Sequence, residues 1–238
     1  TNSQLVYTVT SIPGNGMLRV GGVARNVGGT FTQADINAGL VTYDHNDSQT
    51  SSDSFAFTVN DGTGTTSSGT FNFTVTNVND APTITDGNVY NFTATNEDTT
   101  SVAVTANTIL TNASHADVDS GALTGMAITS LSGTGSWQYS TDGSTWTNIS
   151  GVMANNALLI TGTTQLRYVP DGQNGTPGSF TYRAWDQTNG TASTNGTPNF
   201  GDASVNGTTT AYSTSLATAS ITVSSVNDAP VLDLSLIH

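Results

Sequence analysis

The pentapeptide Val-Asn-Asp-Ala-Pro occurs at Val78–Pro82 and again at Val226–Pro230, and this repetition constrains the fold more than any other feature of the sequence. The segments leading to it repeat as well. Thr10–Leu18 (TSIPGNGML) matches Thr129–Trp137 (TSLSGTGSW) at an offset of 119, with Gly14 over Gly133 and Gly16 over Gly135. Tyr43, Phe55, Phe57 and Asp61 then match Tyr168, Phe180, Tyr182 and Asp186 at a constant offset of 125. Two copies of one fold follow one another. The chain is accordingly divided at 1–80, 81–229 and 230–238. These are a first repeat truncated at its N-terminus, a longer second repeat, and the start of a further repeat or a truncation artefact. Truncation is expected because Asp117 and Asp119 would map ahead of Thr1. The extra length of the second copy lies mainly between Asp186 and a last strand at Leu216–Val223, in Asn, Gly, Thr and Ser residues that read as a loop.

Period-two alternation of apolar and polar residues marks strands at Leu5–Thr10, Ser54–Val59, Thr70–Val75, Ser101–Val104, Phe180–Ala184 and Ala219–Val223. Asp142-Gly143, set between Trp137–Tyr139 and Trp146–Ile149, spells a hairpin. Only Phe31–Ala38 reads as a place for a helical turn. Thr, Asn, Gly and Asp are poor helix formers, and Lys, Arg and Glu are nearly absent. Many short strands with regular turns predict an all-β chain of two tandem Greek-key β-sandwiches.

Sixteen Asp and one Glu stand against four Arg and no Lys, a net charge of -13. Nothing here neutralises a row of phosphates, so no nucleic acid is expected as a partner; cations fit better. The absence of Cys removes disulfides, thiolate catalysis and cysteine-bound zinc, and suits export without oxidative folding. No stretch reaches the ~20 apolar residues of a membrane-spanning helix, so direct membrane insertion is not expected. Catalysis has little to stand on. His45 and His115 lie in polar, Asp-rich turns, no Gly-x-Ser-x-Gly elbow or phosphate loop occurs, and the close pairs Asp44 with Asp47 and Asp117 with Asp119 sit in no cleft-forming context. The chain is expected not to be an enzyme.

Calcium takes about six to eight oxygen ligands, which short carboxylates on turns can supply. Asn79 and Asp80 offer oxygens, while Pro82 fixes φ and restrains the direction of the chain. Asp117 and Asp119 alternate, which puts both carboxylates on one side of an extended segment, and they are predicted to share an ion at Asp80. Asn227 and Asp228 form the next such place by the same logic. The competing reading is that each Asp caps its own turn, and it is favoured for Asp61 and Asp142, each followed by Gly. Asp53, Asp171 and Asp186 are further acids in loops. Trp137, Trp146 and Trp185 fit core packing; the alternative is a carbohydrate-binding module with Trp146 and Trp185 stacked on sugar.

The first copy, with LVYTVTSIPGNGMLRV, FTQADINAGLVTYDHND, SDSFAFTVNDGTG and VNDAP, resembles the chondroitin sulfate proteoglycan (CSPG) and cadherin-like repeats of very large bacterial surface proteins. The second, with NEDTT, ADVDSGALT, WQYSTDGSTWTNI, LRYVPDGQNGT, SFTYRAWDQTNGT and VNDAP, resembles a longer cadherin-like module of the same kind of protein. The resemblance implies immunoglobulin-like sandwiches, Ca2+ at the junctions, and a structural or adhesive role outside the cell. The implied partners are neighbouring repeats of the same chain and surface glycans or proteins. It also implies a carboxylate from the preceding domain's first strand, here Glu97 or Asp98, beside Asn227 and Asp228. The mid-domain Asp-x-Glu element of cadherins is missing.

Overall fold

The computed structural model describes residues 5–230, so the further repeat expected at 230–238 lies, but for Pro230, outside the described residues. The chain separates between Val78 and Asn79 into two compact units.

The first unit runs β1 (Val6–Ser11), β2 (Gly16–Val20), β3 (Val23–Ala24), β4 (Thr30–Thr32), α1 (Gln33–Asn37), β5 (Val41–His45), β6 (Ser52–Asn60) and β7 (Thr66–Thr74). One sheet orders β4-β1-β6-β7 and the other β3-β2-β5. β1 pairs with β4 and β6, and β2 with β5, so several neighbours are not sequential, as in a Greek key. Val9, Leu18, Val20, Phe31 and Phe55 are buried between the sheets. The single turn of α1 falls where the sequence places it. Thr32 caps it in a reciprocal box, its hydroxyl accepting from the Asp35 N–H while the Asp35 carboxylate accepts from the Thr32 N–H.

The second unit runs β8 (Val89–Asn91), β9 (Thr95–Asn96), β10 (Val104–Thr105), α2 (Ala106–Asn112), β11 (Gly125–Ser132), β12 (Ser136–Ser140), β13 (Thr147–Asn148), β14 (Ala157–Thr161), β15 (Gln165–Val169), β16 (Gly178–Trp185), β17 (Phe200–Gly201), β18 (Ala217–Ile221) and β19 (Val223–Ser224). A six-stranded sheet ordered β17-β14-β11-β16-β18-β8 faces a four-stranded one ordered β10-β15-β12-β13. Trp137, Tyr139, Tyr168, Phe180 and Tyr182 fill the space between them. The first strands lie parallel to the last: β8 pairs with β18, and β9 with β19.

The repeat offsets carry local structure as well as residue type. The pairing of β1 with β6 shifts register between Val9 and Ser11, and that of β11 with β16 shifts between Ile128 and Ser130, so the same bulge recurs at Thr10 and Thr129. Gly16 and Gly135 recur because a Cβ at either would run into the ring of Tyr43 or Tyr168, respectively. The Asp142-Gly143 hairpin forms as read, β12 against β13, with Gly143 at φ 74°.

Three parts of the fold differ from the sequence reading. Of the segment Ser101–Val104 only Val104 enters a strand, β10, while Ser101 is held to Tyr168 by hydrogen bonds from its N–H and to its hydroxyl. The helix α2 has no counterpart in the sequence reading, because Asn and Thr mask its pattern. The Thr105 hydroxyl accepts from the Thr108 N–H at its start, and Ala106, Ile109 and Leu110 turn one apolar face inward. The expected loop after Asp186 contributes β17 and a second apolar cluster, in which Ala203, Ala211 and Tyr212 pack on Ala127, Ala157, Leu159 and Trp185.

Asp53 locks the first unit. Its carboxylate accepts from the N–H groups of Gly14 and Asn15 and from the Tyr43 hydroxyl, at 2.9, 2.8 and 2.8 Å. Burial alone would raise its pKa, but these hydrogen bonds, with one from its neighbour Ser54, outweigh it and hold the group at about 2. Burial and the same carboxylate push the Tyr43 phenol up to about 12. A depressed folded-state pKa stabilises the fold above the unfolded aspartate value, and that contribution is lost as pH falls toward and through about 2. Asp53→Asn is expected to cost about 1–2 kcal/mol at neutral pH and to flatten the acid limb between about pH 4 and pH 2, both read from urea melts across pH.

Candidate metal centre

Asn79 and Asp80 open the second unit, and hydrogen bonds tie both to acids far along the chain. The Asn79 side-chain amide donates to Asp186 Oδ2 at 2.8 Å and to the Thr210 carbonyl at 3.2 Å. The Asp80 N–H donates to Asp119 Oδ2 at 2.8 Å. The Asp119 N–H in turn donates to Asp117 Oδ1 at 2.9 Å, the alternation read from the sequence. A bridge between Thr83 and Ala116, bonded in both directions, brings the Asp117 loop against the Asp80–Pro82 segment.

Asp186 completes the group. It lies just beyond the end of β16 and is 2 % exposed, with Oδ1 accepting from the N–H and hydroxyl of Thr188. The sequence reading left it among spare acids. Its repeat equivalent Asp61, at offset 125, makes the same turn with Thr63.

Asp117 is the unbalanced member. Its Oδ2 is buried without a hydrogen-bond partner. Burial raises its pKa, and the charges of Asp119 and Asp186 raise it further, against a hydrogen bond from the Asp119 N–H and the proximity of His115. His115 is itself shifted down by burial, opposed by Asp117. Among the described residues no three His, Asp or Glu side chains already converge closely enough to hold a metal. The reason is visible: Asp119 and Asp186 each spend oxygens on N–H donors. The donor set nevertheless fits a hard cation. It is all oxygen, acidic and half sealed from water, and it contains one buried carboxylate oxygen with no other partner.

The second predicted group is partly assembled. Glu97 is 2 % exposed; its N–H donates to the Ser224 carbonyl, and its Oε1 accepts from the Val226 N–H at 2.6 Å. The carboxylate thus holds the residue immediately ahead of Asn227 and Asp228, and its Oε2 is buried without a partner. Asp98, Asn227 and Asp228 are exposed. The Asp98 N–H donates to Asn96, and the Asn227 amide donates to the Asp228 carbonyl.

Asp61, Asp142 and Asp171 behave as turn formers. Asp142 sits well below the ordinary range because the N–H groups of Thr145 and Ser144 bond it. Asp61 is held down by the Thr63 hydroxyl and N–H. Asp171 is lowered by hydrogen bonds from Thr134 and Gln173. The sugar-stacking alternative meets an obstacle in the tryptophans. Trp185 is 1 % exposed and donates to the Asn189 carbonyl, so it offers no face to a ligand. Trp146 is half-buried, with the Arg167 guanidinium 3.9 Å over its ring.

The fold defines a class: all-β sandwich units following one another along the chain. Residues 1–78 match the family model described as cadherin-like, so the first unit is similar to cadherin-like repeats along its whole length. Such domains are typical of extracellular proteins and generally bind calcium. No helix among the described residues is long and apolar enough to cross a membrane.

Replacing Asp117 by Asn removes like charge from a partly desolvated site while keeping its shape. Without metal, Asp117→Asn is expected to match or exceed the parent in midpoint, by up to roughly 3 °C at neutral pH. In excess calcium it should gain less than half of the parent's increment. Paired calorimetric scans in chelator and in calcium check both halves.

Proposed function

We propose that the chain is a calcium-stiffened structural or adhesive segment of a large secreted or surface-anchored bacterial protein, and that it is not an enzyme. The observation that carries this reading is the buried, unpartnered Asp117 Oδ2, beside hydrogen bonds that link Asp80 to Asp119 and Asp119 to Asp117, while Asn79 is bonded to Asp186. Asn79 and Asp80 directly follow the last residue of the cadherin-like first unit. Their bonds to Asp186 and Asp119 fix the opening residues of the second unit.

Calcium would be held by Asp80, Asp117, Asp119, Asp186 and the Asn79 side chain at the start of the second unit, and by Glu97, Asp98, Asn227 and Asp228 at its end. The ion supplies positive charge where a chain with four Arg has almost none to offer. The protein's own part is positional. The Thr83–Ala116 bridge sets the Asp117 loop, Thr188 orients Asp186, and Glu97 fixes Val226. A cation that binds the folded state alone stabilises it by RT ln(1 + [L]/Kd), about 2.7 kcal/mol at a hundredfold excess over Kd. Junctions of this kind would serve neighbouring repeats of the same chain, and exposed faces would serve surface glycans or proteins.

Calorimetry of the full chain tests the reading. With millimolar calcium the second unit's midpoint should rise by roughly 3–8 °C over the value in EGTA. Asp119→Asn and Asp186→Asn should each remove most of that increment. Equal midpoints in calcium and EGTA at low salt would overturn the proposal.

A further inference from the structure

Five Asn-Gly pairs occur in the chain, at Asn15, Asn174, Asn189, Asn195 and Asn206. Such a pair carries chemistry of its own, because a glycine has no Cβ to hinder its nitrogen as it approaches the asparagine side-chain carbon. The attacking nitrogen must give up its proton, so an N–H held in a hydrogen bond has first to be released.

Four of the five pairs are held. Gly16 is paired into β2 opposite His45, and the Asn15 N–H donates to Asp53 at 2.8 Å. The Gly175 N–H donates to the Ser225 hydroxyl at 2.9 Å. The Gly196 N–H donates to the Thr147 hydroxyl at 2.8 Å, while the Asn195 side-chain oxygen accepts from the Thr141 N–H. The Gly207 N–H donates to the Tyr212 carbonyl at 2.8 Å, and the Asn206 amide donates to the carbonyls of Ala203 and Ser204.

Asn189-Gly190 differs on each count. Both residues are exposed, and among the described residues neither the Asn189 side chain nor the Gly190 N–H makes a hydrogen bond. Asn189 borders an open cavity of about 460 Å³, which gives water access. Its main-chain carbonyl, by contrast, accepts from the Trp185 indole N–H at 2.8 Å. When the Gly190 nitrogen loses its proton, charge spreads onto that carbonyl oxygen, and a donor already in place stabilises it as an oxyanion hole would. The fold also requires glycine here: φ is 91°, and a Cβ would come within 2.7 Å of Leu159 Cδ1. The geometry that keeps the pair thus also leaves it open.

We propose that Asn189 is a self-modification site, which converts without an enzyme to a mixture of aspartyl and isoaspartyl residues. The Gly190 nitrogen bonds to Asn189 Cγ, the C–N bond of the side-chain amide breaks, and that nitrogen leaves as ammonia with the proton given up by Gly190. Water then opens the resulting five-membered imide at one of its two carbonyls. Opening at Cγ leaves ordinary aspartate. Opening at the main-chain carbonyl leaves the chain running through Cγ, with a carboxylate at the position that accepts from Trp185. Nothing is oxidised or reduced, and water is the sole co-reactant. Either product adds a negative charge to a cavity that Asn79 and Asp202 also line.

The test uses the full chain in EGTA at mildly alkaline pH, folded in one series and unfolded in urea in another, with peptide mapping by mass spectrometry at each Asn-Gly pair. In the folded chain, product at Asn189 should accumulate about tenfold or more faster than at any other pair, the worth of first breaking one hydrogen bond. Ammonia should appear in equal amount. In urea the five rates should converge. Asn189→Gln should abolish the early product and its ammonia while the other four pairs react as before, and far-UV circular dichroism checks that the fold is kept. The proposal fails if another pair leads in the folded chain, if Asn189 reacts no faster than the rest, or if it stays intact until urea unfolds the protein.

Discussion

The constraint behind most of this structure is a shortage of positive charge. Seventeen acidic residues share four arginines, and one ion pair, Arg19 with Asp44, is found among the described residues. Carboxylates must therefore be satisfied by the backbone. Asp53 gathers N–H groups from two segments, Asp35 caps a helical turn, and Asp61, Asp142, Asp186 and Asp202 each close a short turn on the N–H two residues on. Each such bond organises a loop while neutralising a charge, so loops rich in Gly, Asn and Thr become ordered. Where N–H donors run out, at Asp117 Oδ2 and Glu97 Oε2, an oxygen is left buried without a partner. Both occur close to the repeated pentapeptide. A divalent cation is one way to supply the missing charge.

Within that scheme the two units show how one framework is finished in two ways. The bulges at Thr10 and Thr129, and the glycines seated on Tyr43 and Tyr168, fix a common geometry for the central strands. On this base the second unit adds two elaborations. The segment carrying β8, β10 and α2 seals one side of its core, and the Thr188–Ser215 stretch builds a second cluster around Trp185 on the outside of the larger sheet. The first unit relies on stacked aromatics instead, with Tyr43 against Phe73 at 4.1 Å and Tyr7 against Phe31 at 5.1 Å.

Sequence was informative wherever one local rule decided the outcome. Alternation placed β1, β6, β7 and β16, Asp-Gly placed a hairpin, and the fixed offsets made the sandwiches equivalent. It was silent where distant residues decide. Helix α2 rests on an apolar stripe of three residues inside a sequence of poor helix formers, and burial overrides propensity there. The cluster around Tyr212 hides in a polar stretch because small alanines and one aromatic suffice to cover a sheet face. In the candidate site, the alternation of Asp117 with Asp119 and their link to Asp80 could be read directly. Asp186 could not, because the Asn79 amide reaches it across more than a hundred residues of chain. Carboxylates that finish turns and carboxylates left short of partners look the same in one dimension, and only the local supply of N–H groups tells them apart.

The parallel pairing of β8 with β18 and of β9 with β19 has a mechanical corollary. Tension on a filament pulls the beginning of a domain backward and its end forward. Applied to two strands that run the same way, those pulls slide them past each other, so the hydrogen bonds between them resist together in shear instead of unzipping in turn. Under such a pull the parallel arrangement favours abrupt, cooperative yielding of these pairs over strand-by-strand opening.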